Sequence, residues 1–139
     1  RSEWGQPFPA EMLEEELRRN ENVKLVTVVH AETSTGIRQP VDDLARLAKE
    51  YDALFMLDAV TSLGGNEVAV DRWDVDYCYS ATQKCLACPP GLSPVALSPR
   101  AHEVIKARKN KPSSWYLDLA LIANYWGFDH HRTCTKWCS

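Results

Sequence analysis

The sequence predicts an α/β fold: a mainly parallel sheet with flanking helices. Three observations predict it. Short apolar runs of strand length alternate with stretches of helical periodicity. One run, Ala53 to Leu57, is apolar at every position, as a strand covered on both faces requires. The connections are short, giving strand–helix–strand units whose crossover is almost always right-handed.

The elements follow in order. Ala10 to Asn20 reads as a short acidic helix with Met12, Leu13 and Leu17 on its apolar side. Lys24 to Val29 is a β-branched run and a first strand. Gln39 then leads into Pro40, a favourable first-turn residue. Beyond it Val41, Leu44, Ala45, Ala48 and Tyr51 recur at helical spacing. Asp42 and Asp43 near the start of that helix and Lys49 near its end suit the helix dipole. Ala53 to Leu57 is the central strand and Val75 to Tyr79 a third. Leu92 to Leu97 is a fourth, where Pro94 predicts an edge or an irregular start. Helices from about Pro99 to Lys109 and from Leu117 to Phe128 complete the order.

Bulk properties exclude several classes. A chain of 139 residues holds one domain with a real core. Apolar content of 45% and charge of 25% are ordinary for a globular protein. The net charge of −3 mixes both signs along the chain, unlike the basic stripe of a nucleic-acid binder. No apolar run approaches the ~20 residues that span a bilayer. Arg1 to Pro9 lacks the apolar core of a signal peptide, and no initiator Met is present, so the chain is expected to start inside a longer one.

The five cysteines allow two readings. Cys85 and Cys88 form a C-x-x-C pair, and Cys134 and Cys138 stand near His130 and His131, from which a zinc site can be drawn. The odd number and the long gap between the pairs favour the plainer reading. In that reading Cys78 and Cys85 are small buried residues and the others are incidental, with no metal. Unpaired thiols favour a reducing, intracellular setting.

A mainly parallel sheet collects ligands outside the carboxyl ends of its strands. After the first strand come His30, Glu32, Thr33, Ser34, Thr35 and Gly36; after the second, Asp58, Thr61, Ser62 and Gly64-Gly65; after the third, Ser80, Thr82, Gln83 and Lys84. Parallel strands gather these groups at one edge. Asp58 directly follows an apolar run, so its carboxylate is expected to be partly buried and to need a cation or several donors. It serves either a site or the capping of a nearby turn. Lys84 lies in a stretch poor in charge. A solvated lysine is the default, whereas a desolvated one becomes a usable amine nucleophile for carbonyl groups. An aspartate and a lysine at neighbouring strand ends fit the two needs of pyridoxal phosphate: an amine for its aldehyde carbon and a carboxylate for its pyridine nitrogen.

Three ordered stretches carry a family resemblance: Glu32-Thr33-Ser34-Thr35-Gly36, Leu57-Asp58-Ala59-Val60-Thr61-Ser62-Leu63-Gly64-Gly65, and Tyr79-Ser80-Ala81-Thr82-Gln83-Lys84 with Pro89-Pro90-Gly91 following. Lys111 to Asp118 and Asn124-Tyr125-Trp126-Gly127 agree with it. Together they resemble the class V aminotransferases, fold type I pyridoxal-phosphate enzymes, most closely the alanine–glyoxylate and serine–pyruvate group. The resemblance implies part of that family's large cofactor-binding domain over residues 1–129, with a divergent tail over 130–139. It implies that Lys84 is the Schiff-base lysine and proton carrier, and that Asp58 is the pyridine-nitrogen partner. Val60 would pack on the ring, Thr33 would lie near the phenolic oxygen, and Gln83 would contact the phosphate. It further implies small amino-acid and keto-acid substrates (alanine or serine, glyoxylate or pyruvate) and a homodimer in the intact family. The compartment would be peroxisomal or mitochondrial in a eukaryote, otherwise cytoplasmic.

Three parts of the family site are missing from these residues. The phosphate-binding helix start with its stacking aromatic would precede Arg1, and the carboxylate-binding arginine would follow Ser139. Moreover, His130 to Ser139 departs from the family's motif near the neighbouring subunit's phosphate. The expectation is therefore a central fragment with little or no turnover alone. The competing expectations are another class V enzyme, such as a desulfurase or kynureninase-like hydrolase, and a catalytically silent binding or regulatory chain.

Overall fold

The computed structural model describes residues 3–126, so the tail at 130–139, with its cysteines and histidines, lies outside the described residues. The chain divides into two compact units, Arg1–Ser98 and Pro99–Ser139.

In the first unit, helix α1 (Ala10–Arg19) precedes strand β1 (Leu25–Val29) and a small hairpin of β2 (Ala31–Glu32) and β3 (Ile37–Arg38). Helix α2 (Asp42–Glu50), β4 (Leu54–Asp58), β5 (Tyr77–Tyr79) and β6 (Val95–Leu97) follow. The main sheet has the order β1-β4-β5-β6. β1, β4 and β5 are parallel, and β6 pairs antiparallel with β5 at the edge, directly after Pro94. The sheet is therefore mixed but mainly parallel, with β4 inside it. Pro40 is not in the first turn of α2, as its sequence position suggested. The helix begins at Asp42, with Val41 as its N-cap, and Val41 is instead a core residue at 1% exposure.

Alternation decides what faces what. Val26, Val28, Phe55, Leu57 and Cys78 point to one face, where they join Leu17 of α1 and Leu44, Ala45, Leu47 and Ala48 of α2 in a single core. Burying Leu44, Phe55 and Leu57 contributes about 1.5–3 kcal/mol each. The alternate residues Val29, Asp58 and Tyr79 share a register row on the other face. Val29 is about half exposed there.

At the start of this sheet, buried Asp76 ties three strands together. Its Oδ2 accepts the Phe55 N–H at 3.0 Å and its Oδ1 the Ser98 hydroxyl at 2.7 Å. A carboxylate this deep is retained because donors surround it. In the second unit, α3 (Pro99–Lys106), a 3-10 turn (Trp115–Leu117) and α4 (Leu119–Trp126) are described. The helix expected from Leu117 to Phe128 thus starts later, where Asp118 Oδ1 accepts the Ala120 N–H at 3.0 Å. Its expected end lies outside the described residues.

Candidate functional site at the strand ends

The carboxyl ends of β1, β4 and β5 meet at one edge. Strand pairing continues past them through His30 N–H to Asp58 O and Ala59 N–H to Tyr79 O, both at 2.9 Å. Each chain then turns away tightly. After β4, Ala59 O accepts from Ser62 and Leu63, and Ser62 O from Gly65 and Asn66. After β5, the Ser80 hydroxyl donates to Ala59 O at 3.0 Å and the Thr82 hydroxyl to Pro89 O at 2.6 Å. The polar residues expected at this edge therefore hold the loops in place as well as line them.

Asp58 is half-buried at the last position of β4. Its Oδ1 accepts the Val60 N–H at 2.9 Å, and its Oδ2 accepts the Tyr79 hydroxyl at 2.6 Å. The need for donors that its position implied is met by these two. The turn-capping role is seen in the bond from Val60, and each carboxylate oxygen keeps acceptor capacity beyond one bond. The Asp58 carboxylate pushes the Tyr79 phenol up to about 12, with burial assisting. Burial, and then the Asp58 charge, raises the buried Cys78 thiol to about 11.

Lys84 sits on the loop after β5 and is exposed. It shares an open cleft of about 530 Å³ with Thr33, Glu32, Arg38, Thr61 and Cys85. The hairpin supplies one wall: Gly36, at φ +68°, lets it turn, and Glu32 Oε1 accepts the N–H and hydroxyl of Ser34 at 2.9 and 2.8 Å. These bonds hold the Glu32 carboxyl below its usual range. The Thr61 hydroxyl donates to Ala31 O and ties the hairpin to the Asp58 loop.

The structure thus brings Thr33 and Lys84 into one cleft. Asp58 and Val60 are joined by a hydrogen bond, and Asp58, Val60 and Gln83 are not among the described residues that line the cleft. The desolvated setting that would make Lys84 a strong nucleophile is not seen; its chain is solvated, as the default reading had it. Cys85 is exposed rather than buried, in contrast to what its position in the sequence suggested. Cys78 is buried as expected. No group of three or more His, Cys, Asp or Glu side chains among the described residues is placed to hold a metal ion.

Two partners escaped the reading of the sequence. Tyr79 faces Asp58 because the two are register partners on one sheet face; the alternation Tyr77, Cys78, Tyr79 was the available signal. His30 is 3% exposed and its Nδ1 lies 2.9 Å from Ser62 Oγ, with its ring edge against Trp73 at 5.4 Å. Burial, and then Arg38, lowers its pKa. His30 and Ser62 both stood in the strand-end sets, but nothing in the sequence paired them.

Comparisons with known proteins bear on this edge. The family model for aminotransferases of class V matches residues 6–133. An uncharacterized aminotransferase of Methanocaldococcus jannaschii is 45% identical over 89% of this chain and 32% of its own. Among solved structures, an alanine–glyoxylate aminotransferase from Nostoc sp. superposes with a TM-score of 0.86 at 42% identity, over 95% of this chain and 34% of that one. A ureidoglycine–glyoxylate aminotransferase from Bacillus subtilis gives 0.85 at 40% identity, over 90% and 32%. The chain spans about a third of the length of the curated relatives it matches.

Proposed function

Since the chain belongs to the class V aminotransferases, we propose that its strand-end edge is the pyridoxal-phosphate site of an enzyme that moves an amino group from a small amino acid such as alanine or serine to a keto acid. The observation that carries this is the Asp58 carboxylate. It is fixed by Val60 N–H and Tyr79 OH at the end of the central strand, on the edge that also holds the reachable amine of Lys84. Two solved relatives are named for glyoxylate, which supports glyoxylate ahead of pyruvate as acceptor. Residues 1–129 are read as part of the family's large domain, and the intact protein as a homodimer.

The donor set fits the cofactor. Pyridoxal phosphate, when bound, supplies an electron sink for charge developing at the substrate Cα. Lys84 Nζ would hold its aldehyde carbon and, once released, carry the proton leaving that Cα. Asp58 would keep a proton on the pyridine nitrogen, using acceptor capacity that Val60 and Tyr79 leave free. Val60 would back the ring, the Thr33 hydroxyl would meet the phenolic oxygen, and Gln83 would turn toward the phosphate.

Incubation with pyridoxal phosphate, borohydride reduction and peptide mapping test the reading. Selective modification at Lys84, lost in Lys84→Ala, is the expected result. Modification spread evenly over surface lysines would overturn it.

A further inference from the structure

The C-x-x-C pair plays no part in the reaction above, yet the fold treats it specifically. Gly64 (φ +92°) and Gly65 lie directly against Cys85. A Cβ at position 65 would come within 2.9 Å of Cys85 Sγ, and one at position 64 within 3.2 Å of Cys85 O. The diglycine is thus a seat for the thiol, which donates to Thr61 O at 3.2 Å. Cys88, three residues on, donates its thiol to Leu86 O at 3.2 Å and its N–H to Thr82 O at 3.0 Å. Between them the chain folds back: Ala87 N–H bonds Lys84 O at 2.8 Å, and Ala87 takes φ 53°, a strained value for a residue with a side chain. Both cysteines are free, and both are exposed residues.

We propose that Cys85 and Cys88 form a thiol–disulfide exchange site whose co-reactant is a low-molecular-weight disulfide, and that its closure lowers the capture of aldehydes by Lys84. The second half rests on the reading of Lys84 given above. Cys88, whose contacts are local to its own turn, loses its proton to solvent. Its thiolate attacks one sulfur of the small disulfide, breaking that bond and releasing one small thiolate. The Cys85 thiolate then attacks the Cys88 sulfur and expels the second. The two cysteines lose two electrons and two protons, and the small disulfide becomes two thiols. The product has no S–H, so the bonds to Thr61 O and Leu86 O both vanish. Cys85 then no longer ties the Lys84 loop to the Asp58 loop.

The test treats the full chain with glutathione disulfide, blocks remaining thiols with iodoacetamide and maps the peptides. A Cys85–Cys88 cross-link two hydrogens lighter is expected, with Cys78 left free. Modification of Lys84 by pyridoxal phosphate and borohydride should then fall on the order of tenfold, less than the roughly hundredfold that a misplacement of about 1 Å can cost a reacting group. It should recover on reduction and should resist oxidation in Cys88→Ser. Gly65→Ala, which crowds the thiol from its seat, should speed closure. Separate glutathione adducts on the two cysteines, or closure that leaves Lys84 modification unchanged, would overturn the proposal. If reduced chain is not modified at Lys84 at all, the cofactor reading fails. The exchange site is then decided by the cross-link and by the Gly65→Ala rate, and absence of either effect sinks it.

Discussion

Replacing Tyr79 by Phe deletes one hydroxyl and leaves the ring, so it isolates the bond that fixes Asp58. The phenol donates to Asp58 Oδ2 at 2.6 Å, and a bond to a charged acceptor contributes about 1.5–3 kcal/mol when well shielded. The rise of the phenol pKa from 10.0 to about 12 corresponds at face value to about 2.7 kcal/mol. Solvent reaches both groups, and screening reduces this to about 1 kcal/mol. The pH dependence has a definite sign. Below pH 10 the phenol is protonated folded and unfolded, and the stabilisation is complete. Above it the unfolded chain ionises first, so the stabilisation is lost as pH rises through about 12. Urea unfolding followed by far-UV circular dichroism, at several pH values for both proteins, measures the difference. Tyr79→Phe should be weaker by about 1 kcal/mol at pH 7, and the gap should close toward pH 12. No gap at neutral pH, or one that persists unchanged at pH 12, would refute the reasoning.

Three further outcomes follow from the same geometry. Neutral His30 is favoured by its buried site, so its stabilisation is present above about pH 6.5 and is lost as pH falls through the lowered folded value. An NMR titration of the His30 ring should read below the ordinary histidine range, and a value at or above it would contradict the burial argument. Leu57→Ala removes a side chain at 0% exposure beneath α2, at a cost of about 2–5 kcal/mol in unfolding free energy. A loss under about 1 kcal/mol would mean that β4 is not packed as described. Gly36→Ala meets no atom within 4 Å, so only its φ of +68° is penalised, by about 1–2 kcal/mol. That loss should leave the reactivity of Cys85 unchanged, in contrast to Gly65→Ala.

The fold was legible where one pattern dominated. Ala53 to Leu57 is apolar throughout, and it became a strand paired on both sides. Pro94 announced an edge, and β6 starts just after it as the antiparallel edge strand. The hairpin at Ala31–Glu32 and Ile37–Arg38 was not legible, because two residues per strand carry no periodicity. Its stability comes from elsewhere, namely the turn at Gly36 and the Thr61 hydroxyl reaching Ala31 O from another loop. Asp76 was missed for a similar reason. It stood inside the run expected as a strand from Val75 to Tyr79, and only the register of three strands shows the donors converging on it.

At the strand-end edge, the sequence named the polar groups but not what holds them. Strand ends named Asp58, Thr33 and Lys84, because the rule linking parallel strands to ligands needs only element order. The bonds that give Asp58 its orientation come from Val60, two residues away, and from Tyr79 on the next strand. The first is a local turn; the second requires knowing that β4 and β5 pair in the register Asp58↔Tyr79. The seat of Cys85 is harder still. It depends on the absence of side chains at Gly64 and Gly65, which in the sequence look like loop flexibility and in space are a close contact. The diglycine and the cysteine after Lys84 therefore act as one feature: they fix how near the loop bearing the amine stands to the loop bearing the carboxylate. A substitution at Gly65 should accordingly be felt first at Cys85 and Lys84, and only afterwards in the stability of the sheet.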